Sequence, residues 1–249
     1  MVFLKVSDKL DTMGVFGKTV KDVALLAKTL IKKIYMIHLL YISQLIVCLK
    51  LVKKAQYLSL NLSFIKLANG KVLIKNHNKL LNFLIKNLKK NIEVFDTPSY
   101  FEDIPKYHQI IHEVDMANNM QVYYKKDKTK LSKELRDAIV RGLKYSGKDY
   151  ADAIDFMRQG YESYKEVFED YHGIITPSSS GIADKGLKST GSADFQKIWT
   201  YLGLPAISLP LLTGENDLPL GVQLVGDKLD DLRFLGAANW LEKNCKDER

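Results

Sequence analysis

Several side chains in this sequence are of types, and at spacings, that can do chemistry. His108 and His112 stand four apart on one face of a predicted helix, a spacing with which two imidazoles can bind a metal. The zinc-protease pattern needs a glutamate directly after the first histidine, and Gln109 stands there instead. The pair therefore reads as two ordinary half-exposed histidines, and no metal is expected. The run "PSSSG" at 177–181 offers the hydroxyls of Ser178, Ser179 and Ser180. A serine hydroxyl is a weak nucleophile until a base removes its proton. A small-residue loop after a strand suits the lining of a pocket as well as it suits a nucleophile. Cys48 and Cys245 lie far apart and have no CxxC spacing, which argues against a zinc site or a disulfide framework.

The elements that would position these groups change character along the chain. Residues 1–32 end in a predicted helix. Thr19 is a natural N-cap with Asp22 three residues on, as in a capping box, and Val20, Val23, Ala24, Ala27 and Leu30 follow at helical spacing. Residues 93–172 are polar, acidic and helical, with "IPKYHQIIHEVDMANNMQVYY", "LSKELRDAIVRGLKY" and "DYADAIDFMRQGYESYKEVFEDY" all periodic and the last two separated near Gly147. From residue 173 the pattern alternates between strand and helix. "GIITP", "LPAISLPLL" and "LPLGVQLVG" predict buried strands, and "ADFQKIWTYLG" predicts a helix ended by Gly203. "TGEND" makes a hairpin-like turn with Gly214 available for positive φ, and Asp230 or Asp231 caps a last helix. Strands mixed with helices indicate an α/β layered fold.

The charge is distributed unevenly. The formal net charge is +8, yet the 70 residues between Asp22 and Glu93 hold 13 lysines, no arginine and no acid, while the remainder is net negative. A nucleic-acid surface would interleave aromatics or arginine with its basic groups. The segment has few aromatics, so no nucleic acid is expected as a partner. Residues 34–49 are mostly apolar but are interrupted by His38, Ser43 and Gln44 and ended by Lys50. A membrane span wants about 20 predominantly apolar residues. Insertion of residues 34–52 into a bilayer is the competing reading. The N-terminus lacks a basic start followed by a long apolar run, and the default expectation is a cytoplasmic chain.

The C-terminal block "IITPSSSG", "KSTGSADFQKIWTYLGLPAISLP" and "LPLGVQLVG" resembles the amidase signature family, as does the N-terminal "SDKLDTMGVFGKTVKDVALLAKTL". The resemblance is clear over residues 7–32 and 173–242, looser over 93–172, and absent over 33–92. It implies a mixed sheet with helices on both faces, and hydrolysis of a small-molecule carboxylic amide to carboxylate plus ammonia or amine. The wording looks more like a general amidase than the A subunit of a tRNA-dependent amidotransferase, which stays as an alternative. The family uses a serine nucleophile, a bridging serine and a lysine base, and needs no cofactor. All three groups precede the turn that matches Leu10–Gly14. The resemblance therefore implies that none of them lies in this chain, that the 249 residues form a partial amidase domain inactive alone, and that pairing with an N-terminal half is possible. "PSSSG" matches a different family position. Thr176, Ser178, Ser179, Thr190 and Trp199 become candidates for the substrate pocket, with core packing the competing reading of Trp199.

Residues 33–92 are the anomaly within this reading. A possible frame-shifted translation between two compensating indels would explain both the lost acids and the lost resemblance. Allowed codons for residues 35–41 and 66–83, read with one shared offset, yield polar, acid-bearing text. The coding DNA decides this: bases that fail to give such text in the shifted frame would remove the idea.

Overall fold

The computed structural model describes residues 4–34, 62–66, 82–84, 86–88, 92–96, 99–187 and 189–245. In chain order the elements are α1 (Val20–Ile34), β1 (Leu62–Lys66), β2 (Ile92–Asp96), α2 (Ile104–Asp127), α3 (Lys133–Gly142), α4 (Gly147–Lys165), α5 (Val167–Asp170), β3 (Ile174–Pro177), α6 (Asp194–Leu202), β4 (Ala206–Thr213), β5 (Pro219–Val225) and α7 (Asp231–Asn244). They divide into two compact units. One comprises Met1–Met13, Pro98–Ser163 and Thr200–Gly203; the other comprises Gly14–Thr97, Tyr164–Trp199 and Leu204–Arg249.

The first unit is helical. Met116, Ala117 and Met120 of α2 pack on Ala138 and Ile139 of α3, with Val6 and Leu135 at the margin. Gly142 allows this approach, because a Cβ there would stand 2.0 Å from the carbonyl oxygen of Glu113. The buried Asp115 ties three segments together. Its Oδ2 accepts from Ser7 Oγ at 2.6 Å and from the backbone N–H groups of Asp8 and Lys9 at 2.8 and 3.3 Å. Its Oδ1 accepts from the Tyr150 hydroxyl on α4 at 2.8 Å. Burial, reinforced by this bond to Asp115, pushes the Tyr150 phenol well above its ordinary pKa. His108 and His112 lie half-buried on α2 with ring centroids 5.8 Å apart. Among the described residues no cluster of three or more His, Cys, Asp or Glu could hold a metal ion.

The second unit carries a five-stranded mixed sheet in the order β2-β1-β3-β5-β4. β1 runs parallel to β2 and β3, while β5 is antiparallel to both β3 and β4. One face is apolar: Ile175, Leu209, Val222 and Leu224 pack with Phe234, Leu235, Ala238 and Leu241 of α7. α1 joins that layer through Val20 and Ala24. Its start carries the expected capping box, with Thr19 N–H donating to Asp22 Oδ2 and Asp22 N–H to Thr19 Oγ1. Glu242 of α7 accepts a further free N–H, that of Val20, at 2.9 Å. Asp230 caps α7 by accepting from Arg233 N–H.

Two features of the sequence reading need restating. Gly214 does not adopt positive φ; it sits at −91°, and Asn216 and Asp217 take the left-handed region at 58° and 55°. Short polar side chains tolerate that region better than most. Gly214 is needed for room instead, since a Cβ there would meet the Ile182 side chain at 2.2 Å. The second feature concerns residues 33–92. The apolar run beginning at Ile34 falls almost wholly outside the described residues, Cys48 included. β1, from the middle of that stretch, lies between β2 and β3, and Phe83, Leu84 and Leu88 are buried in the same core as the strands β3 to β5. Among the described residues no helix is long and apolar enough to cross a membrane.

Candidate functional site

The face of the sheet opposite α7 is different in kind. Thr176 of β3 and Ser208 of β4 both stand directly opposite Gln223 of β5. Cross-strand partners share a face, so the three form one polar row. Two residues on, Gly221 and Ser178 are neighbours on the same face, and Ser178 N–H donates to the Gly221 carbonyl at 3.2 Å. The first turn of α6 covers part of this face. Gln223 Nε2 donates to Thr176 Oγ1 at 3.1 Å and to the Phe195 carbonyl at 3.2 Å, and Gln196 Nε2 donates to the Ser178 carbonyl. Thr176 is fully buried and Gln223 nearly so. Removing this buried amide donor leaves the Phe195 carbonyl and the Thr176 hydroxyl without it. Gln223→Leu should therefore cost about 1–3 kcal/mol of stability, read as a lower urea midpoint.

A loop leads from Ser178, at the end of β3, toward α6. Ile182 seats it on Gly214 at the β4–β5 turn. Ser179 Oγ donates to the Gly181 carbonyl at 2.6 Å, and Ser189 Oγ donates to Asp184 at 3.0 Å while accepting from Gly191 N–H. At the loop's far end Asp194 opens α6, and bonds from Lys197 and then Ser192 hold its carboxyl below the usual carboxylate range.

The five pocket candidates are thus separated. Thr176 and Ser178 lie together on the polar face. Ser179 is half-buried at the start of the loop, Thr190 is exposed near its end, and Trp199 is buried in α6, edge-on to Tyr164 at 6.4 Å. Sequence reading missed Ser208, Gly221 and Gln223. The signal available for them was a polar residue interrupting each of two apolar runs, "AISLPLL" and "GVQLV". Among the described residues no base is hydrogen-bonded to Ser178 Oγ. The face offers hydroxyls, one carboxamide and a glycine, a set suited to holding a polar group by hydrogen bonds.

Comparison with known proteins bears on the family and the fold. A fold match to a solved amidase has TM-score 0.75 at 20% identity, covering 97% of this chain and 54% of that one. The solved A subunit of glutamyl-tRNA(Gln) amidotransferase from Thermotoga maritima matches with TM-score 0.55 at 21% identity, over 75% of this chain and 42% of that one. In sequence, the chain is 32% identical over 123 residues to the A subunit of glutamyl-tRNA(Gln) amidotransferase from Alkaliphilus metalliredigens, spanning 45% of this chain and 25% of that relative. It is 29% identical over 133 residues to fatty acid amide hydrolase of Medicago truncatula, spanning 48% of this chain and 22% of that relative. The chain spans about half the length of the first of these structures, and its matched stretches about a quarter of the curated relatives. The Amidase family matches residues 2–235, nearly the whole sequence, and the chain belongs to that family.

Proposed function

We propose that this chain is one part of a cytoplasmic amide-hydrolysing enzyme that converts a small carboxylic amide to carboxylate plus ammonia or amine. In this reading the chain supplies the polar pocket face. The serine nucleophile, bridging serine and lysine base implied by the family resemblance belong to the part of the family fold that precedes the match to Leu10–Gly14. The observation that carries it is the match to the Amidase family over residues 2–235. The absence of a base bonded to Ser178 among the described residues supports the same division of labour.

The experiment is co-expression of this chain with a polypeptide corresponding to the other half of an amidase, followed by ammonia release from simple amides. Hydrolysis is expected from the pair and not from either piece alone. Amide hydrolysis by this chain alone would defeat the proposal. The curated relatives named as amidotransferase A subunits favour a second reading, in which the amide nitrogen is handed on within an assembly. Ammonia release by the pair without any tRNA separates the two.

A further inference from the structure

We propose that His108 and His112 form a chelate site for one divalent transition-metal ion, such as Ni²⁺ or Zn²⁺. The site lies in the helical unit and does not depend on the amide-hydrolase reading above.

The geometry comes from α2. Residues four apart on a helix lie one above the other, with Cβ atoms about 5–6 Å apart. Helical side chains lean back toward the N-terminus, so His112 reaches toward His108. The two ring centroids stand 5.8 Å apart, with the planes tilted by 31°. An imidazole nitrogen binds zinc at about 2.0–2.1 Å, which puts the ion about 3.2 Å from each ring centre. Two rings on one ion are then at most about 6.4 Å apart, and tetrahedral ligation asks for about 5.2 Å. The observed 5.8 Å falls inside the limit and needs a closure of about 0.6 Å, which rotation about the broad imidazole torsion supplies.

Gln109 in place of the zinc-protease glutamate removes a general base, not a ligand. The chelate itself is untouched by that exchange. Both histidines are half-buried, so solvent reaches the pair. Among the described residues no third His, Cys, Asp or Glu joins them in a group that could hold an ion. Water therefore fills the remaining positions, and the ion stays exchangeable, unlike one in a structural zinc site closed by four protein ligands. Imidazole selects nickel, copper and zinc, whereas magnesium and calcium prefer oxygen. An ion held by both rings ties one turn of α2 together. The next turn carries Asp115, to which Ser7 and Tyr150 are bonded. The ion would thus brace α2 beside the buried junction of the helical unit, and would favour the folded state by mass action.

The test is calorimetric titration of the full 249-residue chain with Ni²⁺ alone, with Mg²⁺ run in parallel. One equivalent of Ni²⁺ is expected to bind, and Mg²⁺ is expected not to bind. At a hundredfold excess over Kd, Ni²⁺ should raise the melting temperature by about 5 °C, and EDTA should reverse the rise. His108→Gln and His112→Gln should each weaken Ni²⁺ binding at least about tenfold, because the second ligand of a linked pair binds intramolecularly. His172→Gln, in the other unit, should keep wild-type affinity. Far-UV circular dichroism in EDTA checks that the variants are folded; if one of the pair is not, the other decides. No Ni²⁺ binding by the wild-type chain, wild-type affinity in a folded His108→Gln or His112→Gln, an equal loss in His172→Gln, or equally tight Mg²⁺ binding would each overturn the site.

Discussion

Asp115→Ala is expected to lower the unfolding free energy of the helical unit by about 3 kcal/mol, because it leaves one buried and three part-buried donors without this acceptor at once. The Ser7 hydroxyl, the Tyr150 hydroxyl and the N–H groups of Asp8 and Lys9 all converge on this one carboxylate. Ser7 Oγ in turn accepts from Leu10 N–H at 3.0 Å, so the turn at residues 7–10 loses its anchor as well. Domains of this size have only about 5–15 kcal/mol in total, so the unit should be largely or wholly unfolded in modest urea. Asp115→Asn keeps one oxygen acceptor and should fall between the two. Urea titration followed by far-UV circular dichroism checks this. A midpoint for Asp115→Ala within error of wild type would show that the carboxylate does not hold the three segments together.

Gly142→Ala is the second large effect. The added methyl would lie 2.0 Å from the Glu113 carbonyl oxygen, 2.6 Å from its carbon and 2.9 Å from Ala117 Cβ. The first two are helix backbone, which cannot swing aside, so α2 and α3 must move apart. Glu113 is itself buried and is held by Arg141 Nε and Nη2 at 2.9 and 2.7 Å and by Gln109 at 3.0 Å. Separation of the helices would stretch the two Arg141 bonds in addition to loosening Met116, Ala117 and Ile139. Overpacking of this severity should cost about 3 kcal/mol. Gly147→Ala is the matched control. Nothing lies within 4 Å of its Cβ position, and alanine there should be neutral or stabilising by a few tenths of a kcal/mol. Equal unfolding midpoints for the two variants would refute the close-packing argument.

Legibility in the sequence followed the range of the interactions. The capping box at Thr19 and Asp22, the stop at Gly203 and the cap at Asp230 each depend on residues within a turn of one another, and all three are found in place. The buried strands β3, β4 and β5 announced themselves as short apolar runs bounded by proline and glycine. β1 and β2 did not: the text around β1 follows neither the helical nor the strand period, and β2 opens the stretch from residue 93 that reads as helical. The Asp115 cluster was invisible for a different reason. Nothing about an aspartate in a helical stretch says that it will be buried, and its partner Ser7 is 108 residues away. The candidate site was half legible. Thr176 and Ser178 stood out as hydroxyls after a strand, whereas Ser208, Gly221 and Gln223 gain meaning only once three strands are laid in register. Gly214 shows the limit of reasoning from residue type alone: glycine was expected for its dihedral freedom and serves by its lack of a side chain.

The N-terminal turn has a consequence for how the chain must be made. Synthesis proceeds from the N-terminus at about 5–20 residues per second, so Ser7 is formed at least about 5–20 s before Asp115. The N–H of Val20 waits longer still, since Glu242 follows it by 222 residues. Both ends of the first thirty residues are thus completed late, by partners that the ribosome has yet to supply. Through most of elongation this segment waits for these anchors with a partly formed helix, open to holdase chaperones and proteases. Slowing translation between Ser7 and Asp115 with rare codons should therefore reduce the yield of intact chain more than the same delay placed after Glu242.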